Sequence, residues 1–264
     1  MMASETVVTR RARRARPRRR VSLVGVLGEV LITIGVVVLL YVAWQLWIGD
    51  VIYAAEKNRA GVELSEQWQQ EVAPVVPTEE PAPEETDAPT EPAAVEPVIL
   101  PQPADAEIFG VMHIPRFGAD YAMPIAGGVS RPRTLDPIGI GHYPDTAMPG
   151  EVGNFALAAH RTTFGKPFNR IAELRVGDPI VVETKEGWYT YRFRTLEYVT
   201  PDAVDVLLDV PQRPEVPAGE RYITLTSCSP MNSMAERIVG YGLFESFMPR
   251  TGDAVPPALT EAAS

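Results

Sequence analysis

Four kinds of hydrophobic patterning succeed one another along the chain. From Val21 to Ile48 the sequence "VSLVGVLGEVLITIGVVVLLYVAWQLWI" is apolar almost throughout, with Glu29 its only charge, and Val30–Trp47 is an uncharged run of 18 residues. A bilayer core takes about 20 apolar residues as a helix, so residues 21–48 are predicted to span a membrane. Residues 51–73 ("VIYAAEKNRAGVELSEQWQQEVA") have helix-favouring composition and are expected to continue as a juxtamembrane helix or stalk. The pattern then breaks: residues 74–103 hold nine prolines among Glu, Thr and Ala. Such a stretch buries too little apolar surface to fold, and its prolines favour extended conformations. Residues 49–104 therefore read as stalk and disordered linker, a spacer of ~3 Å per residue in its Pro-rich part.

From 105 to 249 the pattern becomes that of a β domain. Seven strand-like runs are separated by Gly, Pro, Asp and Asn clusters: 108–114, 121–125, 154–160, 179–184, 188–199, 221–228 and 237–246. The run "WYTYRFRTLEYV" alternates apolar and polar positions as a half-buried strand does. Short strands at this spacing point to a sandwich or barrel, and a domain of this length is large enough for a real core. "FNRIAEL" (168–174) is the best short helix, "GIGHYPDTAMPG" reads as a loop, and the Ala/Pro-rich tail 250–264 is expected to be disordered.

Charge gives the apolar segment a direction. The whole chain carries a net −10, yet residues 1–20 hold eight arginines and one acid, leaving −17 on the remainder. Arg-rich flanks stay cytoplasmic, so 1–20 is predicted to lie inside and everything after about residue 50 outside. Tyr41, Trp44 and Trp47 cluster at the far end of the span, where amphipathic rings favour the lipid–water interface. A basic nucleic-acid-binding arm would not lead into a membrane span, and a cleaved signal peptide would have a shorter apolar region.

An outside location sharpens the reading of Cys228, the only cysteine of 264 residues. Oxidising compartments favour paired cysteines, and one cysteine makes no intramolecular bridge. It is an inert packed residue, half of an intermolecular disulfide, or a nucleophile. A nucleophile needs a base, since the thiolate is what attacks. His113 lies within an apolar strand, and His142 lies in the Gly/Pro-bounded loop. His160 ends a strand as Cys228 does, and two strand ends at one rim would meet without sequence proximity. Position therefore favours His160. Arg237, nine residues after Cys228, opens the next strand; an antiparallel return would set it beside the thiol as an oxyanion donor, unless it is an ordinary surface ion-pair partner.

The motifs "GHYPDTAMPGEVGNFALAAHRTTFGKPFNRIAELRVGD", "YITLTSCSP" and "RIVGYG", in this order, resemble the sortase transpeptidases, and among them the class E type. The resemblance covers about residues 107–246, and the membrane anchor and Pro-rich stalk suit the family's layout. It implies a closed eight-stranded β-barrel with short helices, and Cys228, His160 and Arg237 as catalytic residues. The implied reaction cleaves a C-terminal L-A-x-T-G or L-P-x-T-G signal between Thr and Gly and joins the acyl group to an amine. The implied partners are secreted proteins bearing that signal, a peptidoglycan-precursor or pilin amine as acceptor, and membrane lipid around residues 21–48. No nucleic acid, cofactor or metal is implied.

Ser227 stands where sortases commonly show Thr, and Ser229 where class E members often carry His. Neither departure touches the three roles. A papain-like protease is disfavoured because its cysteine precedes its histidine and sits in a helix. A pilin-polymerising sortase often carries an Asp-Pro-aromatic lid motif, which does not precede this domain. The remaining rival is a tethered wall-binding β domain in which Cys228 is merely packed.

Overall fold

A computed structural model describes residues 22–44, 49–71, 95–252 and 254–260. The Arg-rich segment 1–20, most of the Pro/Glu-rich linker and the end of the tail lie outside them. The chain divides into two units, residues 1–46 and 47–264. In the first, helix α1 (Leu23–Ala43) has 21 residues, none of them buried. At 1.5 Å per residue it is about 31 Å long, enough to cross a membrane.

The second unit is a closed barrel in the order β1-β2-β3-β4-β7-β8-β6-β5. Its strands are β1 (Ile108–His113), β2 (Met123–Gly127), β3 (Ile140–His142), β4 (Gly153–Ala159), β5 (Pro179–Glu183), β6 (Gly187–Val199), β7 (Arg221–Ser229) and β8 (Glu236–Pro249). The pairs β2–β3 and β4–β7 are parallel and the others antiparallel. Phe155, Leu157, Tyr189, Tyr191, Ile223 and Leu225 are fully buried in the core. All seven residues of β4 are buried, which is why it reads as a continuous apolar run rather than an alternating one.

The eighth strand, β3, lies in the stretch expected to be a loop. It has three residues and a glycine at its centre, so no alternation marks it. Gly141 is required there, because a Cβ would come within 2.3 Å of the Gly128 carbonyl oxygen. The expected helix at 168–174 shrinks to one tight turn, Ile171–Glu173, after which Leu174 returns to extended backbone. An unforeseen helical turn, Arg131–Leu135, links β2 to β3.

Three segments assigned to stalk, linker or tail pack on the barrel. Helix α2 (Gly49–Glu71) lies against β1 and β2. Its docking stripe is Lys57, Gly61, Leu64 and Trp68, the helical spacing of a buried face. Gly61 lets the backbones meet, since a Cβ there would sit 2.2 Å from the Ala122 carbonyl oxygen. Asn58 Oδ1 accepts the Ala122 N–H at 2.7 Å. Residues 95–104 run along the barrel, where Val98 O accepts the Tyr189 hydroxyl and Thr146 O accepts Gln102 Nε2 at 2.8 Å. In the tail, Ala258 is small enough to bury against Val181 and Trp188.

The end of α2 joins a buried charge cluster around Glu183, which has no solvent exposure. Its carboxylate accepts from Ser65 Oγ at 2.6 Å, His113 Nε2 at 2.8 Å and Arg250 Nη2 at 2.6 Å. The Arg250 guanidinium lies 5.7 and 5.2 Å from the Trp68 and Trp188 ring centres. Burial pushes the Glu183 carboxyl upward, but the bonds from His113, Ser65 and Arg250 outweigh it and hold the group below the usual carboxylate range. A depressed folded-state pKa contributes stability above the unfolded-state value, about 4.3, and loses it as pH falls through the folded value. Glu183→Gln leaves Arg250 buried opposite a neutral group. Chemical denaturation at pH 7 is expected to show a loss of about 3–5 kcal/mol, and the gap to wild type should narrow below about pH 4. A gap that widens on acidification would show that the carboxylate does not hold the cluster.

Candidate active site

Two registers bring distant residues together. In the parallel pair, Ala158 lies opposite Thr226. Two residues further along each chain stand His160 and Cys228, level with one another at the same rim. In the antiparallel pair β7–β8, Cys228 is directly opposite Arg237. Ser227 is buried and Cys228 is partly exposed, successive side chains of β7 lying on opposite faces of the sheet.

Cys228, His160 and Arg237 line one cleft of about 600 Å³, together with Arg131, Leu135, Tyr143, Arg161, Thr163 and Met234 among others. The other two histidines lie elsewhere. His113 bonds Glu183. His142 is buried, its Nε2 3.0 Å from Thr146 Oγ1 and 3.1 Å from Ala147 O. Burial lowers it to about 4, so it is neutral at ordinary pH.

The wall behind the cysteine is tied by side chains. Ser227 Oγ donates to Ala159 O at 2.7 Å, and Thr226 Oγ1 to Leu157 O at 3.1 Å. The Tyr143 hydroxyl lies 3.0 Å from Thr226 Oγ1, and Arg161 Nη1 donates to Cys228 O at 3.3 Å. Arg237 Nη1 donates to the carbonyls of Met234 and Glu236 at 3.2 and 3.0 Å, so its guanidinium rests on its own loop.

The His160 side chain is 11% exposed, and its Nε2 lies 2.6 Å from Asp136 Oδ1. Burial lowers its pKa and outweighs the opposing effect of Asp136, while Arg131 and Lys57 lower it further. Asp136 carries no signal in the sequence, being 24 residues from His160 and outside any motif. Arg161 and Tyr143 also line the cleft, and no feature of the sequence pattern singles them out. Among the described residues no group of three or more His, Cys, Asp or Glu is arranged to hold a metal ion.

A partly exposed thiol that shares one cleft with an imidazole and a guanidinium, at the rim of a closed barrel, forms a candidate site for acyl transfer through a thiol nucleophile. The sortase domain family matches residues 112–244. The chain is 35% identical to sortase SrtE1 of Streptomyces coelicolor, over 94% of this chain and 64% of that protein, and so spans just under two thirds of that relative. It is 30% identical to sortase SrtE2 of the same organism, over 94% of this chain and 92% of that one. The structure of Streptomyces coelicolor sortase E1 with a tripeptide in the active site superposes with a TM-score of 0.54 and 39% identity, covering 60% of this chain and 99% of that chain. The chain belongs to the sortase family of transpeptidases.

Ser227 retains the hydroxyl of the threonine common at its position, and that hydroxyl joins β7 to β4 beside the three site residues. Ser227→Ala is expected to cost about 1–2 kcal/mol, since it leaves a buried carbonyl without its donor. Ser227→Thr should stay within about 0.5 kcal/mol of wild type. Denaturant midpoints of the two variants check this; equal midpoints for Ala and wild type would mean the bond contributes nothing.

Proposed function

We propose that this chain is a membrane-anchored cysteine transpeptidase that cleaves a C-terminal sorting signal of the L-A-x-T-G or L-P-x-T-G kind between Thr and Gly. The acyl group is joined to a cell-wall amine. The observation that carries the reading is the convergence of Cys228, His160 and Arg237 in one cleft through two strand registers. The peptide held in the active site of Streptomyces coelicolor sortase E1 supports a peptide substrate. The apolar helix α1 and the arginines before it support an N-terminus inside and a barrel outside.

In this mechanism the Cys228 thiolate attacks the threonine carbonyl carbon and the carbonyl electrons move onto oxygen. Arg237 exchanges its loop carbonyls for the developing oxyanion, where a fixed planar cation is effective. As the tetrahedral intermediate collapses, the C–N bond breaks and protonated His160 supplies the proton taken by the glycine amine. The acceptor amine then attacks the thioester, returns a proton to His160 and releases the thiolate. The reaction is thus proton-neutral over a full cycle.

The test is intact-mass analysis of the full chain in detergent with candidate sorting peptides, with and without an acceptor amine. A thioacyl adduct is expected on the wild type and absent from Cys228→Ala. His160→Ala should lower turnover by about 10²–10⁴-fold, and Arg237→Lys by about 10²–10³-fold. Adduct formation on Cys228→Ala would refute the assignment of the nucleophile. An Arg237→Lys rate near wild type would move the oxyanion site to backbone N–H groups near Cys228.

A further inference from the structure

The acyl-transfer reading leaves unexplained why a carboxylate sits on the histidine and why a lysine is buried behind it. Asp136 Oδ1 is 2.6 Å from His160 Nε2, with the two side chains only 24% and 11% exposed. Asp136 follows the helical turn Arg131–Leu135. The backbone of that turn is held from below: Lys57 Nζ on α2 donates to Leu135 O at 3.3 Å and to Asp136 O at 2.9 Å. The same ammonium donates to Phe164 O at 2.7 Å. Phe164 lies in the loop after His160, and its ring centre is 5.2 Å from that of the histidine. One buried cation therefore draws together the two segments that flank the imidazole.

A carboxylate is an acceptor only, so the imidazole nitrogen facing it carries the hydrogen. With Nε2–H committed to Asp136, Nδ1 is the nitrogen free to exchange a proton with thiol, leaving amine or acceptor. The negative charge also favours the imidazolium in a site whose burial disfavours it. A buried ammonium such as that of Lys57, a residue only 5% exposed, carries a desolvation cost that barrel closure does not require. Its three carbonyl bonds instead fix the position of Asp136.

We propose that Asp136 is the positioning residue of His160, holding Nε2–H so that Nδ1 is the proton-transferring nitrogen, and that Lys57 of α2 holds Asp136 in place. This rests on His160 being the acid–base group of the acyl transfer. The charged or titratable groups around His160 are Arg131 from the helical turn and Asp136 just after it, Lys57 from α2, the adjacent Arg161, and Tyr143, Cys228 and Arg237 across the cleft. Arg131 Nε, at 3.8 Å from the same Asp136 oxygen, shares the carboxylate without displacing the histidine.

The chain has only three histidines, so the experiment is a ¹⁵N-histidine titration of the full chain in detergent, with the His160 signals identified by their loss in His160→Gln. The neutral wild-type ring is expected as the Nε2–H tautomer. In Asp136→Asn the His160 titration should move to lower pH, and Asp136→Glu, which keeps the carboxylate, should move it back toward wild type. With a sorting peptide, Asp136→Asn should lower kcat about 10–100-fold with KM within about twofold. An unchanged His160 titration in a folded Asp136→Asn chain overturns the proposal whatever its rate. So does a wild-type ring found as the Nδ1–H tautomer, which decides the matter even if the variant fails to fold. The titration needs no turnover, so it stands or falls separately from thioacyl formation, whose absence would instead refute the transpeptidase reading.

Discussion

The parallel pairing of β4 with β7 is the constraint on which the rest of this molecule depends. A parallel pair cannot be joined by a tight turn and needs a crossover connection. Here the crossover contains β5 and β6, which close the barrel between β8 and β1. One pairing thus creates both the enclosed core and the alignment of His160 with Cys228. The adjacent β7–β8 pairing adds Arg237. A slip of one residue in either register would turn Cys228 into the wall and Ser227 toward the cleft, because side chains alternate along a strand. The bonds from Thr226 and Ser227 to carbonyls of β4 oppose such a slip at the place where it would matter most.

Electrostatics divides the barrel into two regions with different tasks. At one end, Glu183 with His113, Ser65 and Arg250 joins α2, β1, β5 and the end of β8, with the Trp68 and Trp188 rings near the guanidinium. At the other, the cleft keeps its charged groups partly accessible, and Arg237 rests on the carbonyls of Met234 and Glu236. Helix α2 touches both regions, through Ser65 at the first and Lys57 near the second. It is therefore part of the folded body and not a stalk beneath it.

Much of this was legible in the chain. Seven of the eight strands follow from apolar alternation or from apolar runs between turn residues, since those patterns arise directly from half-buried and fully buried ribbons. The convergence of Cys228, His160 and Arg237 on one cleft was legible because each stands at a strand end. Strand β3 escaped because three residues with a central glycine carry no period. Asp136 escaped because its partner is set by tertiary packing alone. The docking of α2 was hidden by its chemistry: a lysine and a glycine occupy two of the four contact positions, where an apolar stripe is the usual sign. The tail beyond Arg250 looked unstructured by composition, yet one alanine suffices to fill the space beside Trp188.

The docking of α2 and of residues 95–104 on the same barrel brings two stretches that are distant in the chain onto one body. The described residues of those two stretches, Gly49–Glu71 and 95–104, are both held by the barrel. The entropy of closing a loop grows only slowly with length, about 0.6 kcal/mol for each doubling. By that measure, the length of chain between the two stretches weighs little against the contacts that α2 makes with the barrel. The barrel is thus held to α2 by the contacts of Lys57, Asn58, Ser65 and Trp68 and not by chain continuity alone.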